Sequence, residues 1–296
     1  MNGGQPGYAG LLVVIGIVSP GAMGSAVGRA LAARGHTVAA TVTGRSERTR
    51  RLAEAAGIDL RPTLADVVRA ADVVLSIVPP GEARAAARAI AAAAHESGAR
   101  PLVADLNAIA PDTVLAIDAE LREAGLDLVD GSISGPPPRA GTETRIYLSG
   151  PRAHEVAALD AEGVSFRIVG AVVGAASAVK MSTASVYKGS TALLAQALLA
   201  AHANGVLEPV LDDLRTSLPE LVDGVERRLQ SAAAKAHRYV AEMEEIAATQ
   251  AAAGLTPALF EAIAETYRRL AQSPLGQTPP EDVDPALPLV DVLDTL

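Results

Sequence analysis

GIVSPGAMGSAVG, residues 16–28, follows the apolar run LLVVIGIV at 11–18 and opens a stretch that reads as a helix. An uninterrupted apolar run suits a strand buried on both faces. A strand that turns through glycines straight into a helix is the pattern of a dinucleotide-binding turn. Its first glycine makes the turn, its second lets a diphosphate approach the backbone, and its third lets helix and strand pack closely. Gly21 and Gly24 fill the second and third places, Ser19 stands at the first, and Pro20 fixes its own φ. Serine at 19 suits the turn if its φ is negative. A diphosphate would then rest on the helix N-terminus beside the backbone N–H groups of Ala22 and Met23. The competing reading is a structural turn with no ligand.

The pattern repeats downstream. The first helix runs from about 22 to 34 with Gly35 as its stop; HTVAATVT at 36–43 reads as a second strand. Ser46 caps a helix that ends at Gly57. ADVVLSIVPP at 71–80, PLVADLN at 101–107, LDLVDGSISG at 126–135, TRIYLSG and SFRIVG continue the series to Gly170. Strands alternating with helices of ten or more residues predict an α/β, Rossmann-like, doubly wound parallel sheet.

Past Gly174 the pattern changes. AASAVKMSTASVYKGSTALLAQALLAAHANG reads as one interdomain helix of about 30 residues, stopped at Asn204–Gly205. The chain to about residue 271 then reads as helical. In AKAHRYVAEMEEIAATQ, an apolar stripe runs through Ala236, Val240, Met243, Ala247 and Gln250, flanked by Tyr239 and Ile246. The expected division is 1–172, a nucleotide-binding domain, and 173–296, an all-α substrate and dimerisation domain. The Pro- and Asp-rich tail, 273–296, either wraps a surface or stays mobile.

Composition narrows the function. The 296 residues are 49% apolar, 20% charged and 2% aromatic, with a net charge of −9. The core is therefore Ala, Val, Leu and Ile, and the acidity excludes nucleic acid as the main partner. With no cysteine there are no disulfides or thiolate chemistry, and five scattered histidines without ligand spacing predict no metal site. MNGGQPGYAG lacks the basic start and cleavage pattern of a signal peptide, and the uncharged stretch 189–204 is short for a membrane span, so a cytoplasmic protein is expected. Only three lysines, Lys180, Lys188 and Lys235, stand against twenty-two arginines. A buried lysine can lose its proton and an arginine cannot.

The second strand ends VTGRSERTR, with Thr43 where an NAD site places an acid to bind the ribose 2′-hydroxyl. Arg45, with Arg48 behind it, can answer a 2′-phosphate, and Thr43 or Ser46 can hydrogen-bond it, so NADP(H) is preferred over NAD(H). Ser19, Pro20, Gly21, Ala22, Met23, Gly24, Thr43, Arg45, Val78 and Asn107 make up the candidate cofactor set. Asn107 stands at a strand's carboxyl end, where ligands bind, and the alternative for it is an Asx-turn.

GIVSPGAMGSAVGRAL, ADVVLSIVPP, ADLNAIAPDT, DGSISGPPP and GAASAVKMSTASVYKG occur in the order seen in the β-hydroxyacid dehydrogenase and 6-phosphogluconate dehydrogenase superfamily, which the chain resembles along its whole length. YKGSTALL and EMEEIAAT resemble a branch with its own helical C-terminal domain. The resemblance implies that Ser134 and Gly135 bind substrate and that Lys180 is a general acid/base. The chain departs from the family at Pro136, where a second glycine is usual, and at Thr183 and Ala184, where asparagines are usual.

The residues bear on that lysine independently, because burial at the start of an apolar helix lowers an amine's pKa toward the working range. Tyr187, seven residues on, shares its face and is a second candidate donor. Lys188, turned about 80° away at about 100° per residue, is a candidate for a substrate anion or a neighbouring subunit. The alternatives are a carboxylate partner for Lys180 and a core position for Tyr187. His237 and Glu244 share a face of a later helix, either solvated or reaching an active site. The expected function is an NADP(H)-dependent oxidoreductase, most simply a homodimer, acting on a small polar carbonyl or alcohol compound. An imine reductase, against which Lys180 argues, and a non-catalytic NADPH sensor are the alternatives.

Overall fold

The structure is a computed structural model that describes residues 10–159, 161–279 and 282–296. Residues 1–9, which hold most of the stretch read for a leader, lie outside these, as do Pro280 and Glu281 of the tail. The chain forms two compact units that divide between Met181 and Ser182. That division falls inside the long helix rather than ahead of it, because the first turns of the helix bond to the sheet.

In the first unit, β1 (Val14–Val18), α1 (Ala22–Ala32), β2 (Thr37–Ala40), α2 (Glu47–Ala55), β3 (Asp59–Leu60), α3 (Leu64–Ala70) and β4 (Val73–Ser76) follow in turn. Then come α4 (Ala83–Ser97), β5 (Leu102–Asp105), α5 (Pro111–Glu123), β6 (Leu128–Ser134), β7 (Thr144–Ser149), α6 (Ala153–Ala157) and β8 (Val164–Gly170). Local chemistry sets the helix starts. Ser46 caps α2 by accepting the Thr49 N–H at 3.3 Å, as expected from sequence. Thr63 caps α3 by accepting the Asp66 N–H at 3.1 Å, and its hydroxyl donates to the Asp66 carboxylate at 2.7 Å.

The strand order is β3-β2-β1-β4-β5-β6-β7-β8. β1 to β6 pair in parallel, with Gly16 opposite Ala39 on one side and Val74 on the other. β7 runs antiparallel to β6, so the doubly wound sheet is mostly, not wholly, parallel. Residues 135–143 are too few for the crossover that a parallel partner needs. Alternation along the strands feeds two cores. Ile15, Ile17, Val73, Leu75, Leu102 and Ala104 face α1, α2 and α6, while Val74 and Val103 face α3, α4 and α5. A Cβ on Gly16 would lie 2.9 Å from Val67 Cγ1, so glycine there lets α3 lie close on β1. The order reverses between β1 and β4, the switch point at which open α/β sheets form a crevice at the strands' carboxyl ends.

α7 (Ala175–Ala203) is a single helix of 29 residues, and Gly205 at φ +70° ends it as expected. The second unit adds α8 (Leu207–Ser217), α9 (Pro219–Val222), α10 (Val225–Ala233), α11 (Ala236–Ala252), α12 (Ala258–Gln272), α13 (Pro274–Gln277) and α14 (Leu289–Asp294). Among the described residues no helix is long and apolar enough to cross a membrane. α11 buries Ala236, Met243, Ile246 and Ala247 from the expected stripe, and with them a carboxylate, Glu242. In the described part of the tail Val292 and Leu293 are buried, and Gln230 Nε2 donates to the Leu287 carbonyl at 3.4 Å.

Candidate functional site

Ser19 is the first point of departure from expectation. Its φ is +65°, the only positive value at a non-glycine among the described residues. Serine here adopts the glycine-like turn instead of avoiding it. Pro20 disfavours the right-handed helical region for the residue before it, and the left-handed alternative costs about 1–2 kcal/mol. The turn is locked by the Gly21 N–H on the Ser19 carbonyl at 2.8 Å and the Ser25 hydroxyl on the Pro20 carbonyl at 2.6 Å.

The two glycines then differ in their reasons. A Cβ on Gly24 would lie 2.7 Å from the Ser19 carbonyl oxygen, so packing alone demands glycine there. A Cβ on Gly21 would meet no atom within 4 Å. The open space in front of Gly21 suits a diphosphate that must come close to the backbone. No side chain caps α1, and its first turn carries no acid, which suits an anion near Ala22 and Met23. The residues present fit a dinucleotide.

Beyond β2, Thr43 donates its hydroxyl to the Pro62 carbonyl at 2.8 Å and its N–H to Thr41 Oγ1 at 3.3 Å. It therefore offers an acceptor, which a phosphate cannot use. Ser46 Oγ is engaged at the α2 cap. Arg45 holds its guanidinium 4.0 Å from the Glu82 carboxylate, with 39% of its side chain exposed, and is a cationic group at this edge.

Asn107 is 2% exposed and bridges two strands. Its Oδ1 accepts the Val78 N–H at 2.7 Å, and its Nδ2 donates to Ser76 Oγ at 3.1 Å and Asp105 Oδ2 at 2.9 Å. Its own N–H donates to Asp105 Oδ1 at 3.0 Å, which makes the turn local as well. Its amide is thus committed inside the protein, and it can act on a ligand by holding Val78 in place. Burial pushes the Asp105 carboxyl up to about 7, against the pull of the Asn107 hydrogen bonds; the neighbouring Asp130 adds a smaller upward push.

Asp130 was not singled out from sequence, yet it organises this side of the sheet. It stands opposite Asp105 in register on β6 and is fully buried. Its carboxylate accepts the N–H groups of Gly174 at 2.9 Å, Ala176 at 3.0 Å and Ser177 at 3.2 Å, and the hydroxyls of Ser149 at 2.8 Å and Ser177 at 2.7 Å. A buried carboxylate is tolerable when so bonded, and one at a helix N-terminus is favoured by the helix dipole. Only distance in the chain, 130 against 174–177, hides this cap from a sequence reading.

The cap fixes the start of α7, and Lys180 lies in its second turn. The Lys180 amine donates to the Ile133 carbonyl at 2.8 Å. The structure thus brings Lys180 to the head of the Ser134–Gly135 turn. Gly135 sits at φ +114° with the Glu143 carbonyl oxygen 3.2 Å from where a Cβ would be. Pro136 does not open the loop, because its carbonyl accepts the Thr144 hydroxyl at 2.6 Å.

In the helical unit, Tyr187 is 70% exposed, which removes the core alternative. Lys188 forms an ion pair with the buried Glu242 and lies 4.1 Å from the Tyr239 ring centroid. Its charge is thus matched within the unit by Glu242, a partner that the reading of Lys188 as a contact for a substrate anion or a neighbouring subunit did not include. Glu244 pairs with Arg268 at 2.6 Å, and His237 is exposed, as the solvated reading of that face expects.

A parallel sheet with a glycine turn at its switch point, no acid closing β2 and open backbone before Gly21 defines an NAD(P)-binding domain of the Rossmann type. The chain belongs to the family of the NAD binding domain of 6-phosphogluconate dehydrogenase, which matches residues 14–161, and it is thereby an NAD(P)-dependent oxidoreductase. Residues 201–270 match a domain of unknown function, DUF1932. The chain is similar to conserved protein MTH1747 of unknown function, whose structure is described as similar to 3-hydroxyacid dehydrogenases. That likeness is 30% identity and a TM-score of 0.65 over 88% of this chain and 97% of that one. A conserved hypothetical protein from Sinorhizobium meliloti is 26% identical, with a TM-score of 0.67 over 97% of both chains. The 3-hydroxyisobutyrate dehydrogenase of Mycobacterium tuberculosis shares the fold, at 19% identity and a TM-score of 0.66 over 96% of this chain and 99% of that one.

Asp105 makes stability depend on pH. Its folded pKa lies above the ordinary 3.8, so the folded chain holds a proton that the unfolded chain releases. Its contribution is fully present below pH 3.8 and is lost as pH rises through about 7. Urea unfolding between pH 5 and 8 should show stability falling with pH, by on the order of 3 kcal/mol from this group. Asp105→Asn should flatten that slope, and an unchanged slope would contradict the assignment.

Proposed function

We propose that the chain is an NADP(H)-preferring oxidoreductase acting on a small polar carbonyl or alcohol compound, with Lys180 as its proton carrier. The observation that carries this reading is the Lys180 amine on the Ile133 carbonyl, at the head of the Ser134–Gly135 turn. A nicotinamide, when bound, exchanges a hydride with the substrate carbon. Lys180 as an ammonium gives a proton to the carbonyl oxygen during reduction, and as a neutral amine takes it back from the hydroxyl during oxidation. Ser134 and the backbone at Gly135 orient the substrate's polar group. Tyr187, about 10 Å further along α7, is the second proposed donor.

The glycine turn, Ser19 to Gly24, holds the diphosphate. Arg45 gives the 2′-phosphate a planar donor fork and supports NADP(H) over NAD(H). Val78, held by Asn107, borders the crevice at the β4 end. A homodimer is the proposed assembly, since Val186 and Leu193, seven residues apart on one face of α7, are 67% and 70% exposed.

Lys180→Met should lower turnover about 100-fold or more while NADPH affinity by calorimetry stays within about twofold. Retained turnover on the best substrate from a panel of hydroxyacids, ketones and cyclic imines would remove the lysine from the mechanism. A non-catalytic sensor would show no turnover in the wild type at all.

Arg45→Ala should weaken NADPH about tenfold and leave NADH unchanged; equal losses for both would contradict a 2′-phosphate contact. Light scattering should give the mass of a dimer, and Leu193→Glu should shift it to the monomer. A monomeric wild type overturns the assembly.

A further inference from the structure

The helical unit contains a cavity of about 480 Å³ whose lining includes Tyr187, the second proposed donor, but none of the groups argued above as nucleotide contacts. That size falls in the range of small-molecule sites. α7 lines it with Tyr187 and Lys188, α10 with Arg228 and Ser231, α11 with Tyr239 and α12 with Tyr267. The chain has five tyrosines and three lysines in 296 residues, and three of those tyrosines and one of those lysines meet here.

The floor is built rigidly. Tyr239 and Tyr267 pack edge to face, with centroids 5.3 Å apart and planes at 81°. The Tyr267 hydroxyl donates to the Lys188 carbonyl at 2.8 Å, and the Lys188 ammonium is held between Glu242 and the Tyr239 ring. Glu242 balances Lys188, so the uncompensated charge of the cavity lies elsewhere.

It lies at Arg228. One guanidinium nitrogen, Nη2, donates to the Asp223 carbonyl at 2.9 Å, and among the described residues no carboxylate lies within 4.0 Å of the group. A guanidinium has five N–H donors in a flat fork that matches a carboxylate. Ser231 stands one turn along the same helix. Its hydroxyl oxygen accepts the Lys235 ammonium at 2.7 Å, which leaves its own hydrogen to donate. A guanidinium with no carboxylate partner among the described residues, a hydroxyl donor and aromatic walls in one cavity are complementary to a carboxylate with a flat apolar body.

We infer that the helical unit binds a small carboxylate with an unsaturated or aromatic body, its carboxylate on Arg228 and Ser231 and its body against the Tyr187 and Tyr239 rings, with Tyr267 buried behind them. The inference stands on residues 187–267 and holds whether or not Lys180 carries a proton.

Calorimetry on the full chain with benzoate, and with its neutral isostere benzamide, tests it. Benzoate should bind with a dissociation constant on the order of 1 mM, at least about fivefold tighter than benzamide. Arg228→Gln should weaken benzoate about tenfold, with far-ultraviolet circular dichroism unchanged, and Ser231→Ala should weaken it less. Near-ultraviolet circular dichroism of the tyrosine band should change on binding. Lys180→Met should bind benzoate as the wild type does. No binding up to about 50 mM, equal affinity for benzamide, or wild-type affinity in Arg228→Gln overturns the inference. Loss of benzoate binding in Lys180→Met with retention in Arg228→Gln would place the anion beside Lys180 and also overturn it, while leaving the proposed function intact.

Discussion

Asp130 receiving three backbone amides and two hydroxyls is the interaction on which the candidate chemistry depends. It ties a central strand to the first turn of α7 through a buried negative charge, and hydrogen bonds to such a charge are stronger than neutral ones. That tie, with the Ser132 hydroxyl donating to the Ala176 carbonyl at 3.0 Å, places the second turn of α7 where the Lys180 amine meets the Ile133 carbonyl. The same charge, opposite Asp105 in register, adds to the burial that raises the Asp105 carboxyl. Two carboxylates side by side in a sheet thus take different roles: one anchors a helix, the other closes a network with Asn107 and Ser76.

At the other edge of the crevice, the turn after β1 reaches a glycine geometry with a serine. The conformational cost at Ser19 is held in place by Pro20, by the hydrogen bond closed at Gly21 and by the Ser25 hydroxyl. Strain of this kind persists where the surroundings over-determine it, and it is concentrated at sites that hold ligands. Gly24 has no such freedom, because helix and strand already touch there.

The helical unit shows how an aromatic-poor chain uses its few rings. Tyr239 and Tyr267 define the shape of one cavity, and Lys188 is fixed to Glu242 and a ring face instead of reaching into solvent. Among the described residues no carboxylate lies within 4.0 Å of the Arg228 guanidinium, which donates instead to the Asp223 carbonyl.

The repeating apolar runs, the Ser46 cap, the glycine stops and the 29-residue α7 were legible from sequence, because period and turn chemistry act over a few neighbouring residues. So was the glycine turn at 19–24, since a motif's spacing travels with the chain. The reversal of β7, the sign of φ at Ser19, the Asp130 cap, the partner of Lys188 and the place of Arg228 beside the tyrosines were not. Each depends on which distant segments meet in three dimensions, and on the burial and charge that meeting creates. Local pattern determines what an element is, and tertiary packing decides what each polar side chain faces.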